Sequence, residues 1–206
     1  RDRTSSERKT IYVGVYGQGV FKREGASSWI PWNHGLPYPT IRTLVKALER
    51  LYAGTSKGLF LLGTRTGEWE PCFEGVKNTH IYSMASGPEG KILFLGSGPF
   101  EGKKPRFRPL PPTLYKSTDG ARSWAPCEDA LPENTLVYDI VVHPKDASHA
   151  FLGTSKGVFR TTDQGETWDQ EEEGLPERFK ALSLQLVPSG DNAQGLVYAA
   201  GPDGVF

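Results

Sequence analysis

Two carboxylates held about 5 to 9.5 Å apart across a sugar linkage are the minimum equipment of a glycoside hydrolase. The chain offers one such pairing, Asp139 with Glu101. Asp139 lies in the alternating run Val137-Tyr138-Asp139-Ile140, and Glu101 lies in a Gly- and Pro-rich stretch. A second group suits recognition better than turnover. Arg42, Tyr82, Tyr138 and Asp139, with His80 beside them, combine a cation, aromatic faces and hydrogen-bonding groups. The stretch 97–112 adds Lys103, Lys104, Arg106 and Arg108 against the single acid Glu101, together with two Phe and five Pro. The four histidines are scattered without metal-ligand spacing, so no metal site is predicted. No Gly-rich phosphate loop, nucleophile elbow or Cys–His motif is present, and no cofactor is expected.

These residues need a scaffold, and the scaffold is repetitive. Trp29, Trp69, Trp124 and Trp168 are each followed seven residues later by an aliphatic residue, Leu36, Val76, Leu131 and Leu175. Short alternating runs then open at Ile41, Ile81, Val137 and Ala181. Second runs follow at Tyr52-Ala53-Gly54, Phe94-Leu95-Gly96, Phe151-Leu152-Gly153 and Tyr198-Ala199-Ala200. Third runs begin at Phe60, Tyr115 and Phe159. The period is roughly 40 to 47 residues, stretched to about 57 where 97–112 is inserted. Each unit reads as four short strands, A to D; in the second unit these are Ile41 to Ala47, Arg50 to Thr55, Gly58 to Leu62 and Glu68 to Phe73. Among 206 residues, 24 Gly and 16 Pro supply the turns, and 11% aromatics with β-branched runs favour strands over helices. The expected fold is all-β, a β-propeller of four-stranded antiparallel blades.

The predicted organisation is a polar segment, 1–10, followed by the propeller over 11–206, with units near 11–37, 38–77, 78–132, 133–176 and a partial 177–206. In such a blade strand A lines the central channel. The aligned A strands place Arg42, Tyr82, Tyr138 and Leu182 in one column and Thr43, Ser83, Asp139 and Ser183 in the next. Two readings stand for these columns: a polar channel lining with satisfied hydroxyls, or a pocket at the channel mouth. As a loop between strands B and C, 97–112 is expected on the same face, either as a semi-rigid arm for an acidic or aromatic partner or as a tolerated surface loop.

Thr161-Thr162-Asp163-Gln164-Gly165-Glu166-Thr167-Trp168 fits the pattern Ser/Thr-x-Asp-x-Gly-x-Thr-Trp throughout, and Ser117 to Trp124 fits it with Ala121 in the glycine place. The first unit keeps Glu24, Ser28 and Trp29, and the second only Gly67 and Trp69. These segments resemble Asp-box, or bacterial neuraminidase, repeats, and the resemblance runs over nearly the whole chain. It implies that Asp119, Trp124, Asp163, Gly165 and Trp168 hold the fold away from any active site. A lone Asp is also a poor calcium cage.

Propellers of this kind include sialidases, endoglucanases and xyloglucanases, sortilin-type receptor domains and photosystem assembly factors, so the resemblance leaves activity open. A sialidase arginine triad is not legible; only Arg42 is well placed. The favoured reading is a non-catalytic scaffold binding a protein or a carbohydrate through the channel-mouth face and the basic loop. The alternative is a glycoside hydrolase, endoglucanase- or xyloglucanase-like before sialidase-like, with Asp139 as a catalytic carboxylate and Glu101 as its partner. The resemblance points to a secreted, periplasmic or lumenal setting, though Arg1 to Thr10 has no signal-peptide pattern.

With 24 basic and 24 acidic residues, bulk charge gives no footprint for nucleic acid. No apolar run is long enough for a membrane helix. The acidic run Asp169, Glu171, Glu172 and Glu173 reads as a solvated edge, or as a partner for the basic loop of another copy. Cys72 and Cys127 fall at equivalent positions of adjacent units, too far apart for a disulfide, and are expected as free thiols. The order of strands read along the chain leads us to expect a segment of a larger ring, of about six to eight blades, or one completed by a second chain.

Overall fold

The structure, a computed structural model, describes residues 9–77, 80–98, 112–128, 130–188 and 195–206. Among these residues there is no helix, and every sheet is an antiparallel meander in chain order. The first sheet holds β1 (Thr10–Val15), β2 (Gly19–Glu24) and β3 (Ile30–Pro31). The second holds β4 (Ile41–Ala47), β5 (Arg50–Thr55), β6 (Gly58–Leu62) and β7 (Trp69–Pro71). The third holds β8 (Ile81–Ser86), β9 (Leu93–Ser97), β10 (Leu114–Ser117) and β11 (Ala125–Pro126). The fourth holds β12 (Val137–Val142), β13 (Ala150–Thr154), β14 (Gly157–Thr161) and β15 (Asp169–Glu171). The fifth holds β16 (Ser183–Pro188), β17 (Gly195–Gly201) and β18 (Gly204–Val205). The outer strands are shorter than the alternation predicts: β7 covers three residues where Glu68 to Phe73 was expected.

The sheets stack face to face as propeller blades, with the inner strands β4, β8, β12 and β16 adjoining in that order. Apolar residues from facing sheets make one core per gap. Between the second and third sheets it includes Tyr52, Leu59, Ile81, Met84, Leu95, Tyr115 and Trp124. Between the third and fourth it includes Phe94, Leu114, Val137, Ile140, Leu152 and Trp168. Both faces of a middle blade are therefore buried, which is why all of β9 is inaccessible to water. Close approach at the hub requires glycine. A Cβ on Gly54 would sit 2.7 Å from Ile81 Cγ2, and one on Gly96 would sit 2.9 Å from Val137 Cγ1. The Gly ending each B run is thus the seat for the first residue of the next inner strand.

The two complete Asp-boxes adopt one hydrogen-bond pattern. Asp163 Oδ1 accepts the Glu166 and Thr167 amides at 3.0 Å each and the Thr161 hydroxyl at 2.7 Å, while Oδ2 accepts the Thr167 hydroxyl at 2.6 Å. Asp119 repeats this with Arg122, Ser123 and Ser117. Donation from Ser123 and its neighbours holds the Asp119 carboxyl down at about 2, and donation from Thr167 holds Asp163 lower still. Each turn uses two successive left-handed residues, Gly120-Ala121 (φ 73° and 63°) and Gln164-Gly165 (φ 64° and 82°), so each box has glycine at only one of the two.

The box tryptophans reach backwards. Trp69 Nε1 donates to Trp32 O at 2.8 Å, and Trp124 Nε1 donates to Cys72 O at 3.1 Å. The backbone amides of the same residues donate to His34 O and Glu74 O. Trp168 departs from this: its indole Nε1 is shut off from water and finds no acceptor among the described residues. Cys72 and Cys127 are free thiols, half-buried.

Candidate functional site at the channel mouth

Three of the four inner strands share a defect at one position. The pairing register shifts between Ile41 and Thr43, between Ile81 and Ser83, and between Val137 and Asp139. The extra residues are Arg42, Tyr82 and Tyr138. A bulge leaves its residue outside the ladder and re-aims the side chain. Here the same bulge recurs on three adjacent blades and directs the three side chains into one row. The Arg42 guanidinium carbon lies 4.9 Å from the Tyr82 ring centroid. Tyr82 and Tyr138 meet edge to face at 6.0 Å. Lys180 Nζ lies 5.9 Å from the Tyr138 ring, and the His80 ring packs 5.2 Å from Tyr82. A cation–aromatic–aromatic–cation row therefore crosses four blades.

His80 and Tyr82 are buried; Arg42 and Tyr138 are partly exposed. The Arg42 Nε is buried without a hydrogen-bond acceptor among the described residues. Stacking on Tyr82 orders this cation without neutralising it. Lys180 was missed in the sequence because it precedes the aligned run, at the position that His80 holds two blades earlier.

Asp139 belongs to the adjacent column, and its carboxylate is engaged. Oδ2 accepts the Leu184 amide at 2.8 Å and the Ser183 hydroxyl at 3.2 Å, and Oδ1 accepts the Ile140 amide at 2.9 Å. It ties β12 to β16. The column is not the evenly satisfied lining that the sequence allows for: Ser83 Oγ is buried without a partner among the described residues.

The basic loop is rooted at this row. The Ser97 amide donates to Thr113 O at 2.7 Å, and the Gly98 amide donates to His80 O at 3.0 Å. A Cβ on Gly98 would lie 3.0 Å from Tyr82 Cε2, so the chain leaves the blade against the tyrosine ring. Thr113 is tied to the next blade through its hydroxyl, which donates to Thr135 O at 2.7 Å. Glu101, Lys103, Lys104, Arg106 and Arg108 lie outside the described residues.

His143 is a buried residue of the turn from β12 to β13, and its Nδ1 accepts the Lys145 amide at 3.3 Å. His149 Nδ1 meets Asp146 Oδ2 at 2.9 Å in the same turn. No group of three metal-ligating side chains occurs among the described residues, and no helix among them is long and apolar enough to cross a membrane. In the acidic strand, Glu171 pairs with Arg160 Nε at 2.8 Å within its own blade.

No protein-family model matches the chain. A 58-residue stretch, 27% of this chain, is 38% identical to vacuolar protein sorting/targeting protein 10 of Pyricularia oryzae, and covers 4% of that protein. Among solved structures, an ancestral GH74 enzyme superposes over 95% of this chain and 28% of its own, at 20% identity and TM-score 0.67. The GH74 xyloglucanase from Xanthomonas campestris superposes over 92% of this chain and 31% of its own, at 19% identity and TM-score 0.63. YCF48 bound to a D1 peptide does so over 95% and 59%, at 13% identity and TM-score 0.62. At these identities the likeness establishes the fold, a β-propeller, shared by enzymes and by a peptide-bound protein alike. The chain spans less than two thirds of each of these proteins.

Proposed function

We propose that this chain, an Asp-box β-propeller, is a non-catalytic binding scaffold whose recognition surface is the channel mouth. The observation that carries the reading is the repeated bulge: three adjacent inner strands each give up a ladder position to bring Arg42, Tyr82 and Tyr138 into one row ending at Lys180. Irregularity repeated at one position of each repeat serves a surface rather than an accident of packing. The row presents cations at both ends and aromatic edges between them, a chemistry suited to an acidic or aromatic segment of a protein partner or to the ring faces of a carbohydrate. Ser97 and Gly98, where the basic stretch 97–112 begins, are anchored beside it through Thr113 and His80. That YCF48, a propeller of like fold, is bound to a peptide supports a protein partner.

The hydrolase alternative rests on Asp139, whose carboxylate accepts three hydrogen bonds, two of which tie neighbouring blades. An inter-blade tie is a full occupation for one side chain, which favours the scaffold reading.

The test uses immobilised glycan and peptide panels and a polysaccharide and sialoside hydrolysis assay, all on the same preparations. Binding is expected, and it should fall at least tenfold in Arg42→Ala/Lys180→Ala, a pair chosen at the ends of the row so that the blade cores are untouched. No turnover is expected in the wild-type chain. Hydrolysis that disappears in Asp139→Asn with binding retained would reverse the assignment.

A further inference from the structure

Wherever an Asp-box is complete, its turn fills the gap behind the preceding blade. The Gly120 carbonyl accepts the Tyr52 hydroxyl at 3.2 Å and Arg50 Nη1 at 3.3 Å, and Ala121 is buried in the core between the two sheets. One gap further on, Gly165 is buried where any side chain would meet the Phe94 ring. Tyr52 and Phe94 hold the same place in their B strands, and Tyr12 holds it in the first blade.

The second blade should fill the gap behind Tyr12, and it does not. Its turn has the same length, but Thr64 stands in the Asp place and Arg65-Thr66 in place of the left-handed pair. A β-branched residue resists the left-handed conformation, and Gly67 alone has positive φ in this turn. The turn closes on itself instead, with the Gly67 amide on Gly63 O and the Glu68 amide on the Thr66 hydroxyl. Thr66 is consequently exposed, whereas its counterpart Ala121 is buried. What remains between the first two blades is a crevice of about 790 Å³, a size typical of binding pockets. Tyr12, Trp32, Leu44, Leu51 and Leu62 line it.

One donor there has no acceptor: Trp32 Nε1 is shut off from water without a partner among the described residues. Tyr12, half-buried, lines the crevice beside it. The two lysines on the lining are already paired: Lys22 with Glu24 at 2.6 Å and Lys46 with Glu49 at 3.7 Å. A charge-balanced mouth over apolar walls and an unpaired donor selects a neutral acceptor over a free anion.

We propose that this crevice is a docking site for a tight turn presented by a partner protein, with a residue no larger than alanine at its tip and a backbone carbonyl directed at Tyr12. The neighbouring gap is the template: Ala121 and the Gly120 carbonyl stand in it as the partner's turn would stand here. The site is separate from the channel mouth and does not depend on what binds there.

The probe is a head-to-tail cyclised peptide of sequence Ser-Thr-Asp-Gly-Ala-Arg-Ser-Trp, titrated into the isotope-labelled chain and followed by amide chemical shifts. Saturable shifts centred on Tyr12, Trp32, Leu44 and Leu51 are expected. The same peptide with leucine at the alanine position should bind at least tenfold more weakly. Tyr12→Phe should weaken binding about fivefold, the worth of one hydrogen bond, with the fold retained by circular dichroism. The variant Thr64→Asp/Arg65→Gly/Thr66→Ala/Glu68→Ser restores the Asp, the left-handed pair and the closing Ser of the box, fills its own gap and should abolish the shifts. Three results would each overturn the proposal: no binding at millimolar peptide, equal affinity for the alanine and leucine peptides, or undiminished binding by the rebuilt box together with Tyr12→Phe. Shifts at these residues on adding indole-3-acetate but not the peptide would likewise overturn it, assigning the crevice to small aromatic acids.

Discussion

Gly165→Ala and Ala121→Gly exchange residues at equivalent places in the two Asp-boxes, and the structure predicts a large loss for the first and almost none for the second. At Gly165 the backbone stands at φ 82°, where a Cβ costs about 1 kcal/mol. That Cβ would also lie 2.5 Å from Phe94 Cε1 and 2.8 Å from Cζ. Phe94 has no way to retreat: it is fully buried and stacked edge to face on Trp168 at 5.5 Å. Overpacking of this kind costs about 1 to 3 kcal/mol, so the total loss should be about 2 to 4 kcal/mol. At Ala121 the left-handed cost is already present at φ 63°, and glycine relieves about 1 kcal/mol of it. The same change removes a buried methyl from the core between the second and third blades, a loss of about 0.8 kcal/mol. The two terms cancel, and the variant should be neutral to within about 0.5 kcal/mol. Equilibrium urea unfolding followed by tryptophan fluorescence and circular dichroism measures both. Combining Gly165→Ala with Phe94→Leu separates the clash from the backbone term, because the pair should lose less than the sum of the single changes. A loss below 0.5 kcal/mol for Gly165→Ala, or above 2 kcal/mol for Ala121→Gly, would refute the packing argument.

The Asp119 and Asp163 carboxyls are held below the ordinary carboxylate range, as Asp146 is by donation from Ser148. Groups depressed in the folded state add stability that is complete above about pH 4 and lost as pH falls toward 2. Acid titration should therefore show unfolding in that window, and Asp119→Asn/Asp163→Asn should flatten the profile there. Asp139→Ala removes the Ile140, Leu184 and Ser183 acceptor and should lower stability by about 1 to 3 kcal/mol, with amide exchange accelerating first along β16. Burial pushes the Cys72 thiol up to about 12 and Cys127 to about 11. Both should resist iodoacetamide at pH 8 in the native protein and react promptly in denaturant; rapid native alkylation would contradict the burial.

Much of the architecture is legible in the sequence because each repeat carries its own punctuation. The bounds of β4, β5 and β6 match the alternating runs, since Gly and Pro clusters close each run locally. Outer strands shrink because they pair on one side only, and Pro71 and Pro126 end their own strands without an amide to give. The row of Arg42, Tyr82 and Tyr138 is visible as a column of types, whereas its cause, a bulge, is a matter of register that no single strand encodes. The tie made by Asp139 is equally silent, because its donors lie 44 and 45 residues away on another blade. The crevice beside Tyr12 is a different case: the lapse of the box in the second unit is plain in the sequence, and only the three-dimensional packing shows the space it leaves.

The backward reach of Trp69 and Trp124 gives the stack a direction. Each indole fastens the sheet before its own, so the repeats form a one-dimensional chain whose nearest-neighbour links are anchored on one side. Damage should then travel upstream: Trp124→Phe ought to register as faster amide exchange around Cys72 and β7, in the preceding repeat, before any change around β11. A propeller wired in this way has a polarity of mechanical failure, set by the hand in which its tryptophans point.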